Sequence, residues 1–309
     1  MTGPAGPGKL PDPVDASGRT LVAADGTRLA YRLRRTGAPR RTLLLLHGLA
    51  SNHTRWSEFS ATTRLAAGWD ILCPDLRGHG GSLFRGRIDM KTWCDDLEAL
   101  LAAEDVTQTV VIGHCLGANL ALWFAQQAPR RVSGLVLIEP MFRAAFTGNR
   151  ARLAVLRPLF AALAPPLRLL AALGLHRRRL ETLDLAALDH GARAAMAATG
   201  HFPEARYNSV FEDLRSTPIS VYVQGLLAVT GPLPAMSSIA APTLSLLSAG
   251  GTYSAPDITA RLLASLPQSR IARIPAQHWI PTEQPQLMRE SIETWCDELT
   301  VKGEAEKSM

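Results

Sequence analysis

The stretch Thr109-Val-Val-Ile-Gly113-His114-Cys115-Leu116-Gly117-Ala118-Asn119-Leu120 runs an apolar strand into G-x-C-x-G and straight into an apolar helix. A side chain at the centre of such a turn is held out on a strained backbone, and serine is its usual occupant. Here it is a thiol, which suits nucleophilic acyl chemistry. Gly113 and Gly117 remove side chains that would collide with the neighbouring strand and helix. The helix N-terminus that follows the turn stabilises a thiolate. The remaining cysteines, Cys73, Cys94 and Cys296, form no C-x-x-C pair and no zinc-ligand spacing, and read as small buried hydrophobes.

The elements that must hold this turn are visible as an alternation. Thr42–Leu46, Ile71–Cys73, Thr109–Ile112, Val132–Ile138, Thr243–Leu247 and Ser269–Ile274 are short apolar runs, the signature of strands buried on both faces. Helices are expected between them at Lys91–Ala103, Leu116–Gln127, Pro256–Ser265 and Pro285–Leu299. Thr20–Ala24 and Thr27–Leu33, joined by Asp25-Gly26, read as a hairpin. The fold class is therefore α/β with a mainly parallel sheet. Residues 141–241 break the rhythm with helical composition, and Pro158, Pro165, Pro166 and Gly174 should chop the first part into short helices. This segment is expected to be a cap inserted before the penultimate strand, lying over the carboxyl edge of the sheet. The core would then be 19–140 and 242–300, with a flexible arm over 1–18 and a frayed end over 301–309.

In this order of elements the chain resembles the α/β-hydrolase superfamily, from about Arg19 to Leu299. Beyond the G-x-C-x-G turn, Leu-Leu-Leu-Leu-His47-Gly48-Leu49 resembles the strand and oxyanion loop, and Asp75-Leu76-Arg77-Gly78-His79-Gly80-Gly81-Ser82 resembles the D-x-R-G-x-G-x-S loop. Ala276-Gln277-His278-Trp279, followed by Glu283-Gln284-Pro285, resembles the loop of the catalytic histidine. The resemblance implies Cys115 as nucleophile, His278 as base, and an oxyanion hole made by the backbone N–H groups of Leu49 and Leu116. Asp75 and Arg77 would be structural. The family usually carries an aspartate just after the strand at Thr243–Leu247, but this sequence reads Ser248-Ala-Gly250-Gly251-Thr252-Tyr253-Ser254-Ala-Pro256-Asp257. Three arrangements stay open: Glu139 at the end of the preceding strand, Asp257, or no acid partner. The last is chemically tolerable, because a thiolate–imidazolium pair depends less on a carboxylate.

These residues support thiolate attack on an ester, lactone or thioester with an apolar substrate, by a hydrolase (esterase or thioesterase) or an acyltransferase. Two other classes stay open: a lyase or carbon–carbon bond-cleaving enzyme with His278 as general base, and an inactive small-molecule binder. No phosphate loop, dinucleotide fingerprint or metal-ligand cluster is found, so no cofactor or metal is implied. The 33 Lys+Arg against 27 Asp+Glu give a net charge of +6 without a basic reading motif, which argues against nucleic acid. The charge is local: between Pro140 and Leu180 there are eight arginines and no acid. It reads either as a solvated face or as a docking surface for an acyl carrier protein, a coenzyme A phosphate or an anionic membrane. In the same segment Leu153, Leu156, Phe160, Leu163, Leu167 and Leu170 make an apolar helical face that either packs on the core or meets lipid. There is no secretory signal and no membrane-spanning run, so a soluble, cytoplasmic protein is expected.

Overall fold

The computed structural model describes residues 18–37, 41–207, 209–250 and 254–307. The arm expected over 1–18 therefore lies, but for its last residue, outside the described residues. Eight strands form one sheet: β1 (Arg19–Val22), β2 (Arg28–Arg34), β3 (Arg41–Leu46), β4 (Trp69–Pro74), β5 (Thr109–His114), β6 (Val132–Ile138), β7 (Thr243–Ser248) and β8 (Ser269–Ile274). Their spatial order is β1-β2-β4-β3-β5-β6-β7-β8. The β1–β2 hairpin pairs antiparallel with itself and with β4, and the other pairings are parallel. The central strands β3, β5, β6 and β7 are largely apolar and buried because both faces are covered. Leu44, Leu46, Val111 and Leu137 pack on one side, while Leu43, Leu45, Ile112 and Ile138 pack on the other. β4 is longer than the apolar-run reading because it includes Asp70. This carboxylate is tolerated inside by Arg35 at 3.2 Å and the Thr36 N–H at 2.8 Å.

The helices are, in chain order, α1 (Ser57–Thr62), α2 (Met90–Ala103) and α3 (Leu116–Gln127) in the core. The cap follows with α4 (Gly148–Val155), α5 (Arg157–Ala172), α6 (Leu185–Thr199), α7 (Glu204–Tyr207), α8 (Val210–Ser216) and α9 (Ile219–Val229). The core closes with α10 (Pro256–Leu263), α11 (Ile280–Glu283) and α12 (Pro285–Lys307). As expected, the cap enters after β6 and returns at β7.

Two helices depart furthest from the sequence reading. Pro165 and Pro166 do not divide the helix α5, which runs through both, has Pro158 in its first turn and ends at Ala172, with Gly174 (φ 77°) just beyond. Packing against α9 outweighs the two lost backbone donors. The end expected to fray from 301 is helical to Lys307, since one glycine is tolerated and Glu304-Ala-Glu-Lys307 favours helix.

Candidate active site

The carboxyl ends of β3, β5, β6 and β8 converge, and the sequence-selected residues sit on them. Cys115 occupies the turn from β5 to α3 with φ 54° and ψ −116°. The two glycines are dictated by backbone contact. A Cβ on Gly113 would lie 2.2 Å from the Gly117 carbonyl oxygen, and one on Gly117 would lie 2.4 Å from that of Leu46. Among the described residues four non-glycines have positive φ, and three of them, Ala50, Cys115 and Glu139, surround the site. Strain of this kind persists where neighbouring structure over-determines it.

Of the three acid arrangements weighed from sequence, the geometry has Glu139. Its Oε2 lies 2.8 Å from His278 Nδ1, and both side chains are buried. Its Oε1 accepts the Ser248 N–H at 2.5 Å. The end of β7, where an aspartate was sought, therefore supplies a donor that orients the glutamate of β6. Asp257 lies elsewhere, on the surface, paired with Arg273 at 2.7 Å. His278 also bonds the Cys115 side chain. Burial alone would lower its pKa, but the bonds to Cys115 and Glu139 outweigh that and hold it at about 9.

Several positioning residues carry no signal in the nucleophile motif. The Glu283 carboxylate accepts the N–H groups of Gln277, His278 and Trp279 at 2.9–3.1 Å, fixing the histidine loop. Asn119 bonds both the N–H and the carbonyl of Met141, at 2.8 and 2.7 Å, and pins the chain leaving Glu139. His47 is buried, and its burial, with His79 nearby, pushes its pKa down to about 3. The neutral ring donates from Nδ1 to the Gly48 carbonyl (2.8 Å) and accepts the Leu76 N–H at Nε2 (2.9 Å). In a trans peptide this turns the Leu49 N–H to the opposite edge. Leu116 is the first residue of α3, so its N–H has no intrahelical partner. Asp75 and Arg77 bond neither Cys115, His278 nor Glu139. Asp75 binds His53 at 2.9 Å, and Arg77 binds Asp96 at 2.5 and 2.8 Å.

The family model for the alpha/beta hydrolase fold matches residues 41–285. The chain belongs to the alpha/beta hydrolase fold family. It is an enzyme of the hydrolase type, with its reaction left open by the relatives. A protein of Mycobacterium tuberculosis is 33% identical over 115 residues, which are 37% of this chain and 32% of that one. The chain thus spans about a third of the length of this relative. An sn-1-specific diacylglycerol lipase of Mus musculus is 22% identical over 298 residues, 94% of each chain. The solved esterase RhEst1 from a Rhodococcus superposes with a TM-score of 0.65 at 23% identity, covering 92% of this chain and 99% of that one.

As in a capped alpha/beta hydrolase, the site opens into a cavity between core and cap, of about 510 Å³. Leu49, Met141, Phe146, Leu153, Tyr222, Leu226 and Val229 give it an apolar wall, and Cys115, His114 and His278 line it. His114 is buried with Nε2 unpartnered among the described residues, and burial holds its pKa well below the ordinary value, so it faces the cavity as a neutral ring. Trp279 stacks on Phe202 of the cap with ring centroids 4.5 Å apart. Among the described residues no group of three or more His, Cys, Asp or Glu could hold a metal ion.

A buried ion pair fastens cap to core. Arg55 donates to Asp189 on α6 and, at 3.0 Å, to Thr282, while Tyr207 and Thr282 also donate to Asp189 at 3.1 and 2.9 Å. Replacing Asp189 by alanine leaves a buried arginine without its counter-ion, and should cost about 3–5 kcal/mol in urea unfolding. The double change Arg55→Met with Asp189→Leu should recover most of that loss. A loss below about 1 kcal/mol for the single variant would mean that water already screens the pair.

Proposed function

We propose that the protein is a cysteine-dependent acyl hydrolase acting on an ester or thioester with an apolar acyl chain. One observation carries the reading: Cys115 and Glu139 both bond the same buried His278, and Cys115 and His278 line the cavity. The Cys115 sulfur attacks the substrate carbonyl as a thiolate beside the His278 imidazolium. A carbon–sulfur bond forms, and the charge moves to the carbonyl oxygen, which the N–H groups of Leu49 and Leu116 receive. Collapse expels the alcohol or thiol, which takes its proton from His278. The neutral histidine then takes a proton from water, the hydroxide attacks the thioester, and the acid leaves while the sulfur regains the thiolate. Glu139 accepts from Nδ1 throughout and keeps Nε2 directed at the reacting atoms. The apolar wall of the cavity favours an acyl chain, and the lipase relative is in keeping with this.

The test is intact mass spectrometry after incubation with p-nitrophenyl butyrate. The protein should gain one butyryl group in the first turnover, and Cys115→Ala should gain none. Normal turnover by Cys115→Ala would overturn the covalent route and favour His278 acting as a general base alone.

A further inference from the structure

The cap carries its apolar residues on the wrong side for a protein that meets only water. The face expected from sequence splits in two. Leu153 and Phe160 pack against the cluster of Tyr222 and Leu226 on α9 and Leu167 is partly buried, whereas Leu156, Leu163 and Leu170 are exposed. Of the fifteen large apolar side chains exposed among the described residues, eight fall within 155–175. Leu159, Leu163 and Leu170 recur at helical spacing along the outer side of α5, and Leu173 and Leu175 extend the row at 66% and 67% exposure. Isolated exposed leucines are ordinary, but a contiguous row marks a contact surface.

Within this segment the charge has one sign. The arginine-only segment from Pro140 to Leu180 includes the row. Arg152, Arg178 and Arg179 are exposed and pair with no carboxylate among the described residues. Arg177 donates to the Leu214 carbonyl of α8 at 3.4 Å, tying the basic loop to a helix whose Glu212, Asp213 and Arg215 line the cavity. The carboxylates there are partly neutralised, since Arg215 bridges Glu181 at 2.9 Å and Glu212 at 3.2 Å. On the same helix Phe211 projects at 84% exposure. Apolar and cationic groups thus stand together on the cap, joined through Arg177 to a helix that lines the cavity.

We infer that the outer face of α5 and the loop through Arg179 dock the protein on an anionic lipid bilayer, with the cavity entrance at the membrane surface. A second copy of the chain would cover the leucines but oppose two surfaces of like charge. An acidic carrier protein would meet the arginines but leave the leucines in water. A bilayer receives the leucines at the acyl boundary and the arginines among its phosphates.

Sedimentation with vesicles tests this without any chemistry at Cys115, so its failure is separate from failure of the acyl mechanism. The full chain should partition onto phosphatidylcholine vesicles containing phosphatidylglycerol at least about tenfold better than onto pure phosphatidylcholine, given about fivefold per arginine near the surface. Leu170→Glu with Leu173→Glu should lose at least about tenfold on both compositions. Arg178→Glu with Arg179→Glu should lose the preference for phosphatidylglycerol, with the thermal unfolding of both variants unchanged. The inference fails if the chain stays in the supernatant, or if neither pair of substitutions alters binding. It also fails if light scattering shows a dimer that the leucine variant abolishes, or if the arginine variant alone loses binding to an acyl carrier protein while vesicle binding is absent.

Discussion

Replacing Cys115 with alanine is expected to lower kcat/KM for a soluble activated ester by at least about 10⁴-fold, with the fold intact. The size follows from what the thiol does: without it there is no acyl-enzyme, and the remaining oxyanion donors and cavity act on a substrate that only water can attack. Cys115→Ser is the more instructive partner. The strained turn, Glu139 and the Leu49 and Leu116 donors all persist, so activity should survive at a fraction of the original. A hydroxyl must lose its proton to His278 during attack, and it does so only when the imidazole is neutral. With the thiol gone, one of the two bonds that hold His278 at about 9 is replaced by a weaker one. The serine variant should therefore show a lower apparent pKa for the histidine, and a rate that rises with pH through it. A serine variant equal to the original at pH 7 would mean that the thiolate–imidazolium pair contributes nothing.

Much of this site is legible in the sequence because its parts are local. G-x-C-x-G states its own geometry: only glycine fits where Gly117 meets the Leu46 carbonyl at 2.4 Å from a would-be Cβ. The parallel strands announce themselves as apolar runs, and β6 keeps its boundaries unchanged from sequence to structure. What the sequence leaves open are relations between distant segments. Glu139 and Asp257 are both acids after strands, and choosing between them requires knowing that the Ser248 N–H aims at one of them. Glu283 reads only as part of the histidine-loop motif, although its carboxylate grips three consecutive amides of the His278 loop. The Arg55–Asp189 pair spans 134 residues and has no spacing rule at all. The leucine pattern on α5 gives the period of the helix but not which half faces inward. That depends on α9, whose own pattern is apolar but for Ser220, Tyr222 and Gln224.

Glu139→Gln keeps the shape of the side chain and should still lower kcat by about 10²–10⁴-fold. The carboxylate accepts two N–H groups, from Ser248 and from His278, at 2.5 and 2.8 Å. An amide offers one acceptor and one donor. If its oxygen stays on the Ser248 N–H, its NH₂ meets Nδ1, which must then give up its proton and leave it on Nε2, the nitrogen that has to exchange protons at the site. The charge that helps to hold His278 at about 9 is lost as well, so its pKa falls. The sign of the stability change follows. A histidine raised in the folded state contributes stability that is fully present below its unfolded value near 6.5 and is lost as pH rises through about 9. The variant should therefore be more destabilised in urea at pH 6 than at pH 10, and the upper limb of its kcat/KM profile should begin at lower pH. Full turnover with an unchanged upper limb would remove Glu139 from the mechanism. The chemistry would then rest on Cys115 and His278 alone, with the carboxylate serving only to hold β6 and β7 together at the edge of the cavity.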